Sequence, residues 1–589
     1  MPGGLELIRT VDELRSFLST VQSAPFLALD TETTGLDPHR DRLLLVQIGT
    51  HDRQGLIDAQ RVGAPLIREI GAIDKPIVMH HAKFDLKMLA SLGERATLAR
   101  LLVADTMLAE QLLYNGKKAG IQAQGFGLAA LADRYAGMGL DKSVREGFTQ
   151  VVNADELTEV ELRYAARDVE ATYKVFASQL PQLASAGLLR AAAIEGAASW
   201  GFAEMERTGM PIDAAAWKVL VEEADRERAE AKKHLDRLFH DVLSFDLFGA
   251  GDLNYDSDQE VEAALKKLGV AVEGTRREVL EASGHPAALA IVAYREHQKI
   301  VSTYGRRFLE HVHPSTRRIH TSFKALGAIT GRASSSEPNL QNIPATSRFR
   351  GCFRAPPGRL LITADYSGAE LRILAEVSGD PVFVRTFEEG GDLHSIVATR
   401  IFQKPVSKTE HADLRARAKA INFGLAYGMG AQGLANQIGA PLGEAEWLLD
   451  RYFRAFPAIR GYLERSAREA LQAGFAETLS GRKHWFADLL QNGADEGTRL
   501  RVAKNMPIQG TNADMTKLAM ARIARALAEG EVDAALVNMV HDEIVVEAAA
   551  TVADRAKEIV EAEMISAGRE FVRRVPVVVD THVGEAWQK

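Results

Sequence analysis

Apolar runs that end on carboxylates constrain the fold of this chain more than any other feature of its sequence. The run FLALDTETTGL begins at Phe26 and leads into Asp30 and Glu32. The run RLLITAD ends on Asp365, and VNMVHDEIVVEA places Asp542 between two apolar stretches. Such runs predict strands, and a carboxylate at the end of a strand faces water or a cation because burying it alone is costly. The sequence therefore predicts strands with acidic ends in two widely separated regions.

The length of the chain indicates several domains. At 589 residues it exceeds what one hydrophobic core supports, and about 100 to 200 residues per domain predicts three or four domains. The first region opens like an α/β domain, with strand-like runs at FLALDTETTGL, RLLLVQIGT and PIVMHH, and it turns helical after Asp105. A long, charged helical arm follows residue 190, and helices dominate again between Asp365 and the VNMVHDEIVVEA hairpin. The fold class we expect is multidomain α/β and α+β.

Composition excludes several classes of protein. A content of 46% hydrophobic and 25% charged residues is typical of globular domains and excludes a disordered or fibrous chain. The single cysteine, Cys352, excludes an internal disulfide and a Cys-rich zinc site. The first residues lack a signal-peptide pattern, and no stretch of about 18 apolar residues occurs. We therefore expect a soluble, intracellular protein that works in the cytoplasm without a membrane partner.

One segment is strongly basic although the whole chain has a net charge of -8. Between residues 315 and 360 the only acid is Glu337. The basic residues of this segment are Arg317, Arg318, Lys324, Arg332, Arg348, Arg350, Arg354 and Arg359. The excess predicts an anionic partner at this segment. A solvated arginine-rich face is the alternative.

Three patterns imitate ligand sites. GMGAQG at 428–433 matches a dinucleotide-binding glycine pattern, but it follows a helical segment and opens no βαβ unit. The segment 252–263 begins like a calcium loop, yet it lacks the glycine and the final glutamate of that loop, so we expect the start of a helix. His311 and His313 have no further metal-type residues nearby, and a surface pair is the better interpretation.

The first region contains a candidate metal site. Asp30 and Glu32 are two residues apart, so in an extended strand their side chains leave the same face. Asp85 lies in HHAKFDLKML, and Tyr164 and Asp168 are four apart on a predicted helix. Paired carboxylates suit a divalent metal. Each of these features alone also fits a solvated turn.

A second constellation lies on the helix RARAKAINFGLAYG. Arg415, Lys419, Phe423 and Tyr427 recur at steps of four, which places them on one slowly turning stripe. Two cations followed by two aromatic rings fit a triphosphate followed by a base. The Asp542 turn in VNMVHDEIVVEA, taken alone, also fits an ordinary polar hairpin.

The first set of motifs resembles a known nuclease fold. DTET, KFD and YxxxD, in this order, are similar to the motifs of the DnaQ-like, ribonuclease H-like 3'-5' proofreading exonuclease. The resemblance implies that Tyr164 orients the attacking water, and that two Mg²⁺ ions, for which Mn²⁺ could substitute, are held by Asp30, Glu32, Asp85 and Asp168. His81 departs from the family pattern, which often has Asn at this position.

The second set resembles the family A DNA polymerases, the DNA polymerase I class. DYSGAELR, RxxxKxxxFGxxYG and VHDE are similar to motifs A, B and C of that family, and TGRASSSEPNLQNIP and NMPIQGTNAD match two further signatures. The resemblance implies a right hand of thumb, palm and fingers joined to the exonuclease. The domain limits it implies are 1–190 for the exonuclease and 191–589 for the polymerase, the latter divided into 191–345 (helical thumb leading into the palm), 346–410 (palm), 411–515 (fingers) and 516–589 (palm).

The resemblance also assigns roles to residues of the polymerase. Asp365 and Asp542 would bind two further Mg²⁺ ions, with Glu543 assisting. The expected nucleotide-binding residues are Arg415, Lys419, Phe423, Tyr427, Glu370 and His394, with Glu370 excluding a ribose hydroxyl and touching Tyr427. The expected contacts to primer and template are Arg332, Asn339, Gln341, Asn342, Arg501, Asn505, Gln509 and His541, several of them in the minor groove, where acceptors are nearly the same for every correct pair.

Together, the two resemblances imply a DNA-directed DNA polymerase that proofreads. Its partners would be primer-template DNA, dNTPs and a single-stranded DNA 3' end in the exonuclease site, and we expect a monomer. The first motif begins at Asp30, so we expect no 5'-nuclease domain, and Gly368 stands where bacterial members commonly have Gln, which is similar to phage-type members. The helical arm shows no long insertion. Origin in a phage or a bacterium stays open.

Two other functions are less consistent with the sequence. A nuclease whose hand only binds DNA would follow if the second metal site were degenerate, but both Asp365 and Asp542 are present, as is the stripe from Arg415 to Tyr427. An RNA-synthesising enzyme fits poorly with an editing domain and with Glu370.

Overall fold

The computed structural model describes residues 5–117, 125–240, 245–246, 249–250, 253–343, 347–426 and 428–588. Within these ranges no helix is long and apolar enough to cross a membrane.

The first region is built on a mixed sheet. Its described strands are β1 (Leu5–Ile8), β2 (Leu27–Thr33), β3 (Leu43–Gly49), β4 (Gln54–Asp58), β5 (Ile77–Met79) and β6 (Val103–Asp105). Their order is β1-β4-β3-β2-β5-β6, with β3 antiparallel to β2 and β4 and the remaining pairs parallel. The predicted strand with Asp30 and Glu32 is therefore confirmed, and it lies centrally in the sheet.

Helices cover the sheet. They are α1 (Val11–Thr20), α2 (Ala59–Val62), α3 (Ala64–Gly71), α4 (Ala82–Leu89), α5 (Arg95–Arg100), α6 (Thr106–Leu113), α7 (Leu128–Ala136), α8 (Arg145–Phe148) and α9 (Glu159–Ser185), with 3₁₀ turns at Ala90–Leu92, Lys142–Val144 and Ala154–Glu156. Helix α9 begins where Thr158 and Glu161 form a capping box, which satisfies backbone N–H groups that the first turn leaves free. This helix packs across β2 and carries the predicted Tyr164 and Asp168 pair.

Helix α10 (Leu189–Thr208) joins the two halves of the molecule. The first half is the region from β1 to α9, and the second half comprises the elements that follow α10. The residues of α10 are buried without a break from Ala198 to Glu206, so this part of the helix is covered on every face. Glu195 on this helix accepts hydrogen bonds from two buried cations of the second half, Arg482 and Lys517. Glu206 pairs with Lys83 and Lys87 of α4 in the first half, while one core cluster runs through both halves.

A helical arm follows α10. Its elements are β7 (Met210–Pro211), α11 (Ala214–Leu238), β8 (Phe245–Asp246), β9 (Gly249–Ala250), α12 (Asp258–Lys267), α13 (Arg277–Ala282), α14 (Pro286–Tyr304) and a 3₁₀ helix at Arg306–His311. The arm has its own apolar cluster between α11, α12 and α14. Ser257 caps α12, so the calcium-like segment is the start of a helix, as predicted.

A second sheet comes next, and a large helical insertion separates its first strand from its other three strands in the sequence. The elements before the insertion are β10 (Arg318–Ile319), β11 (Ser322–Lys324), β12 (Ser334–Ser336), α15 (Ser347–Arg350), β13 (Arg359–Tyr366) and α16 (Ala369–Ser378). The insertion consists of α17 (Pro381–Glu388), α18 (Leu393–Phe402), α19 (Ala412–Ala426), α20 (Ala431–Ile438), α21 (Leu442–Ala455), α22 (Pro457–Ala473), β14 (Phe475–Glu477), β15 (Lys483–Trp485), α23 (Ala487–Gln491) and α24 (Glu496–Glu529). The GMGAQG segment joins α19 to α20, which confirms that it is no nucleotide-binding βα turn.

The second sheet is completed by β16 (Ala534–Val540), β17 (Glu543–Ala549), α25 (Ala553–Arg569) and β18 (Val579–Gly584). The antiparallel strand order is β16-β17-β13-β18, with α25 packed against the sheet. Asp365 on β13 is the register partner of Glu543 on β17. The pairing of β13 with β17 thus places Asp365 beside the turn that carries Asp542. The domain limits at 190, 345, 410 and 515 stay predictions.

The basic segment 315–360 is mostly neutralised within the fold. Six of its eight cations pair with carboxylates from outside the segment: Arg318 and Arg359 with Glu547, Arg332 with Glu370, Arg348 with Glu223, Arg350 with Glu543 and Arg354 with Glu585. A count along the sequence misses acids that the fold brings from elsewhere. The local charge excess therefore does not by itself identify a surface for an anionic partner.

The prediction of a surface histidine pair was wrong for His313. His311 is exposed, but His313 is half-buried and its Nε2 lies 2.9 Å from Oδ2 of Asp37, in the loop after β2. The rings of His39 and His320 pack at 5.6 and 5.4 Å from the ring of His313. These histidines lie at the contact between the two halves, which a sequence spacing could not reveal.

Candidate active sites

The first candidate site is a trio of carboxylates between a strand and a helix. Asp30 and Glu32 lie on β2, and Asp168 lies on α9 where that helix crosses the strand. One oxygen from each can lie within 4.8 Å of the others. In the part of the chain that the structure describes, this is the only group of three or more His, Cys, Asp or Glu side chains that converge so closely.

The electrostatics of the trio favour a bound cation. Burial, followed by the nearby charge of Asp168, raises the pKa of Asp30 to about 7. Burial and the charge of Asp30 also raise the pKa of Glu32 well above its usual range. Neighbouring carboxylates repel each other when they are ionised, and a divalent cation that binds their oxygens would stabilise the ionised form. The residues present thus fit Mg²⁺ or a similar ion.

Asp85 lies next to the trio but is not one of its three members. Its carboxylate accepts a 2.7 Å hydrogen bond from the hydroxyl of Thr31, and it is almost fully buried on α4. Burial and the charge of Asp30 raise its pKa well above the usual range. The structure therefore brings all four predicted carboxylates into one neighbourhood. A direct metal contact of Asp85 stays a prediction.

Tyr164 is held by two cations that the sequence motifs did not indicate. Its hydroxyl accepts hydrogen bonds from Lys142 Nζ at 3.0 Å and from Arg145 Nε at 2.9 Å. Burial, and then the charge of Asp168, raises the pKa of Tyr164 well above the usual range, so the phenol stays protonated. Both cations lie about twenty residues before Tyr164, a separation at which no helical or strand periodicity connects them.

The departure at His81 has a backbone explanation. His81 precedes the first residue of α4 with a φ of 65°, in the left-handed region. Asn, Asp and His enter this region more readily than other non-glycine residues. Histidine can therefore replace the asparagine of the family pattern without changing the path of the chain into α4.

The second candidate site lies at one end of the four-stranded sheet. Asp365 lies near the end of β13, and Asp542 lies in the two-residue turn between β16 and β17. The backbone N–H of Tyr366 donates to the carbonyl oxygen of Asp542 at 3.4 Å, which brings the two acidic positions to adjacent strands. Burial raises the pKa of the Asp542 carboxyl, and the charge of Glu370 adds to this shift. The arrangement fits a site for divalent cations.

The carboxylate of Glu543, the residue after Asp542, is held by two side chains. It accepts hydrogen bonds from Arg350 Nη1 at 3.2 Å and from the indole N–H of Trp587 at 2.7 Å. Trp587 is fully buried, and the Arg350 guanidinium lies 4.2 Å from its ring centroid. This cluster was not foreseen from the sequence. An assisting role for Glu543 at the metals stays a prediction.

Helix α19 presents the predicted cation and aromatic stripe. Arg415 donates hydrogen bonds of 2.6 and 3.1 Å to Asp392, at the start of α18, while Lys419 is exposed. The ring of Phe423 lies 5.7 Å from that of His394. Three members of the stripe thus lie on one face of the helix. Tyr427 lies outside the described residues.

Asp392 and His394, at the start of α18, contact the residues of the stripe on α19. Burial opposes ionisation of Asp392, but hydrogen bonds from Arg415 and Ser395 outweigh it and lower the pKa of Asp392 to about 2. Burial, reinforced by the charge of Arg415, lowers the pKa of His394 to about 4. His394 Nδ1 lies 3.0 Å from the amide nitrogen of Asn422, so the imidazole is a neutral hydrogen-bonding group.

Three of the expected DNA contacts lie together beside the second site. Arg332, Gln341 and His541 line a small cavity together with the buried Lys517. Arg332 Nη2 lies 2.6 Å from Glu370 Oε1, an ion pair that the sequence did not predict. Gln341 donates to the carbonyl oxygen of Met539 at 3.1 Å.

The other expected contacts are distributed over two elements. Asn339 Oδ1 accepts from the backbone N–H groups of Gln341 and Asn342, so it shapes the loop after β12. Arg501, Asn505 and Gln509 are spaced at four residues along α24 and share one face of that helix. Their contacts to primer and template stay predictions.

The fold defines the class of the chain: a hand-shaped polymerase architecture joined to an exonuclease-type α/β domain. The family model "DNA polymerase family A" matches residues 221–589, and the model "3'-5' exonuclease" of that family matches residues 5–184. The chain belongs to DNA polymerase family A.

Curated relatives cover the whole chain. DNA polymerase I of Chloroflexus aurantiacus is 31% identical over 621 residues, which span 100% of this chain and 64% of the relative. DNA polymerase I of Pseudomonas aeruginosa is 33% identical and is also covered to 64%, so this chain spans less than two thirds of the length of these two relatives. DNA polymerase I of Aquifex aeolicus is 31% identical, with 99% of both chains covered.

A solved structure shares the whole fold. The POL domain of Pol1 from M. smegmatis, in complex with DNA primer-template and dNTP, superposes with a TM-score of 0.82 at 27% identity. The match covers 99% of both chains.

Proposed function

We propose that this chain synthesises DNA from dNTPs on a primed template and removes mismatched 3' ends with a 3'-5' exonuclease. The observation that carries the proposal is the presence of two separate acidic sites, one at β2 and α9 and one at β13 and the β16–β17 turn. Helix α19, which has cations and an aromatic ring at four-residue steps, packs against α16, the helix that follows β13 of the second site. One site thus suits hydrolysis and the other suits nucleotide transfer.

Divalent metal ions, with Mg²⁺ as the expected ion, complete both sites. Asp30, Glu32 and Asp168 would hold metal in the exonuclease, with Asp85 nearby, and Asp365 and Asp542 would hold it in the palm. Bound divalent ions stabilise negative charge on the attacking and leaving oxygens of a phosphodiester. Tyr164 remains protonated, so its part is to orient a water or a phosphate oxygen by hydrogen bonding and not to remove a proton.

The nucleotide would lie along α19. Lys419 is exposed on this helix and is free to meet the triphosphate, while Arg415 is oriented by Asp392 until a phosphate competes for it. Phe423 would border the base, and His394 would contact a phosphate. Relatives carry the name DNA polymerase I, and the solved neighbour contains primer-template and dNTP, which supports these substrates.

The exonuclease is tested by replacing Asp30 and Glu32 together with Ala. Degradation of a labelled single-stranded primer in Mg²⁺ should be abolished, because the metal ligands on β2 are gone, while primer extension stays near normal. Asp12→Ala, an exposed aspartate on α1, is the matched control. Loss of both degradation and extension in the double variant would contradict two separate sites.

The polymerase is tested by Asp542→Ala. Extension should fall by several orders of magnitude because no other group replaces a lost metal ligand, while degradation of the primer should persist. Asp554→Ala, an exposed aspartate on α25, is the control. An Asp542→Ala variant that still extends primers, or a wild-type chain that degrades but never extends them, would favour a nuclease whose hand only binds DNA.

A further inference from the structure

A short segment before α9 brings two cations to the exonuclease site. Asp141 caps the 3₁₀ turn Lys142–Val144, and α8 begins at Arg145. Phe148 at the end of α8 is buried, and its ring lies 6.2 Å from that of Tyr164. The segment is therefore anchored both by its own cap and by an aromatic contact to the helix that carries the site.

Lys142 bridges two residues of the site. Its Nζ lies 2.8 and 3.1 Å from the two carboxylate oxygens of Asp168 and 3.0 Å from the hydroxyl of Tyr164. The side chain of Asp168 is 1% exposed, whereas that of Lys142 is 28% exposed. The ammonium therefore lies at the mouth of the site and reaches inward.

Arg145 contacts the same hydroxyl from another direction. Its Nε donates to Tyr164 at 2.9 Å, so two N–H donors occupy the acceptor positions of one phenol oxygen. With those positions filled, the hydroxyl acts toward other groups as a donor only. The two cations also offset part of the repulsion among carboxylates that converge within 4.8 Å.

We propose that Lys142 and Arg145 are positioning residues of the exonuclease, which fix the Asp168 carboxylate and the donor direction of the Tyr164 hydroxyl before a metal ion and a DNA 3' end bind. The inference rests on the proposed exonuclease function. Fixing these groups in advance lowers the reorganisation needed for hydrolysis, which is the advantage of a preorganised site. Loss of Lys142 should thus slow cleavage more than it weakens binding of DNA.

The first test compares Lys142→Met, Lys142→Arg and the control Lys174→Met, which removes a lysine paired with Glu170 on the same helix as Asp168. Lys142→Met should lower kcat for degradation of a single-stranded primer by about tenfold or more with KM changed little, and Lys142→Arg should recover much of it. Extension by the palm site should be unchanged in all three. A kcat within about twofold of wild type in Lys142→Met would overturn the proposal.

Binding of Mn²⁺, measured by calorimetry on the full chain without DNA, separates positioning from two other roles. Removing a cation beside the carboxylates should leave Mn²⁺ affinity at the exonuclease site unchanged or higher. The Asp30→Ala, Glu32→Ala double variant identifies which heat belongs to this site. Weaker Mn²⁺ binding together with lower kcat would mean that Lys142 only maintains the fold of the site. Tighter binding with faster cleavage would mean that Lys142 blocks the metal.

A double-mutant cycle tests Arg145. If Arg145 acts through the Tyr164 hydroxyl, Arg145→Met should lower kcat in the wild-type background and have little further effect in the Tyr164→Phe background. Equal losses in both backgrounds would overturn this part of the proposal. A wild-type chain that degrades no primer in Mg²⁺ or Mn²⁺ would instead refute the proposed exonuclease itself.

Discussion

Arg332 and Glu370 form an ion pair in which Nη2 and Oε1 are 2.6 Å apart, and only 5% of Glu370 is exposed. Arg332 is the arginine of the TGR segment expected to contact the primer, and Glu370 lies on the first turn of α16, five residues after Asp365. The group expected to sense the primer end is therefore in direct contact with the group expected to exclude a ribose. If both residues have these expected roles, this hydrogen bond would couple primer position to sugar selection.

Glu370→Ala should admit ribonucleotides far more readily. The change opens space for a 2'-hydroxyl and removes a carboxylate that this hydroxyl would have to desolvate or displace. Overall rate should also fall because Arg332 loses its partner. The measurement is kcat/KM for ATP against dATP opposite template T, with the exonuclease disabled. A ratio within a few fold of wild type would show that Glu370 does not select the sugar.

Lys419→Ala should raise KM for dNTPs and lower kcat for extension. Its exposed ammonium is expected to meet phosphate oxygens that gain charge during transfer. Lys404→Ala, an exposed lysine just after α18, is the control. Affinity for primer-template should change little. If the affinity for duplex collapsed and its dependence on salt flattened, Lys419 would instead contact the DNA backbone.

The strand ends and the α19 helix could be predicted because their signals are local. Asp30 and Glu32 at the end of β2, and Asp542 in a turn between two strands, follow from apolar runs and two-residue periodicity. The partners of these residues could not be predicted. Lys142 reaches Asp168 from a separate segment, and Trp587 reaches Glu543 across the sheet, so neither contact leaves a spacing in the sequence.

Glu543→Gln distinguishes a structural role from a metal-binding one. The substitution leaves the half-buried Arg350 without its charge partner, which should lower the free energy of unfolding by about 3 kcal/mol. Chemical denaturation measures this loss, and Glu561→Gln, with its i,i+4 partner Lys557 on α25, should lose much less. Because Glu543 contacts Arg350 and Trp587, we expect extension to survive where Asp542→Ala loses it. Equal loss of extension would make Glu543 a metal ligand.

The raised pKa of Asp30 predicts how the metal-free protein responds to pH. Its pKa of about 7 exceeds the value of about 3.9 for an unfolded aspartate, so the folded protein binds this proton more tightly. The resulting stabilisation is fully present below about pH 4 and is lost as pH rises through about 7. In EDTA, Asp30→Asn should therefore have a melting temperature that exceeds that of wild type increasingly from pH 5 to pH 8. A difference that is constant with pH would contradict the raised pKa, and added Mg²⁺ should reduce it.

Helix α10 has a consequence for the way the molecule loses its structure. Glu195 is bound by cations of the second half, Glu206 by cations of the first, and the helix is buried without a break from Ala198 to Glu206. Neither half can detach without leaving uncompensated charges and apolar surface behind. Heating should melt the two halves as one cooperative unit, so that a cavity made in the exonuclease core also lowers the temperature at which DNA synthesis fails.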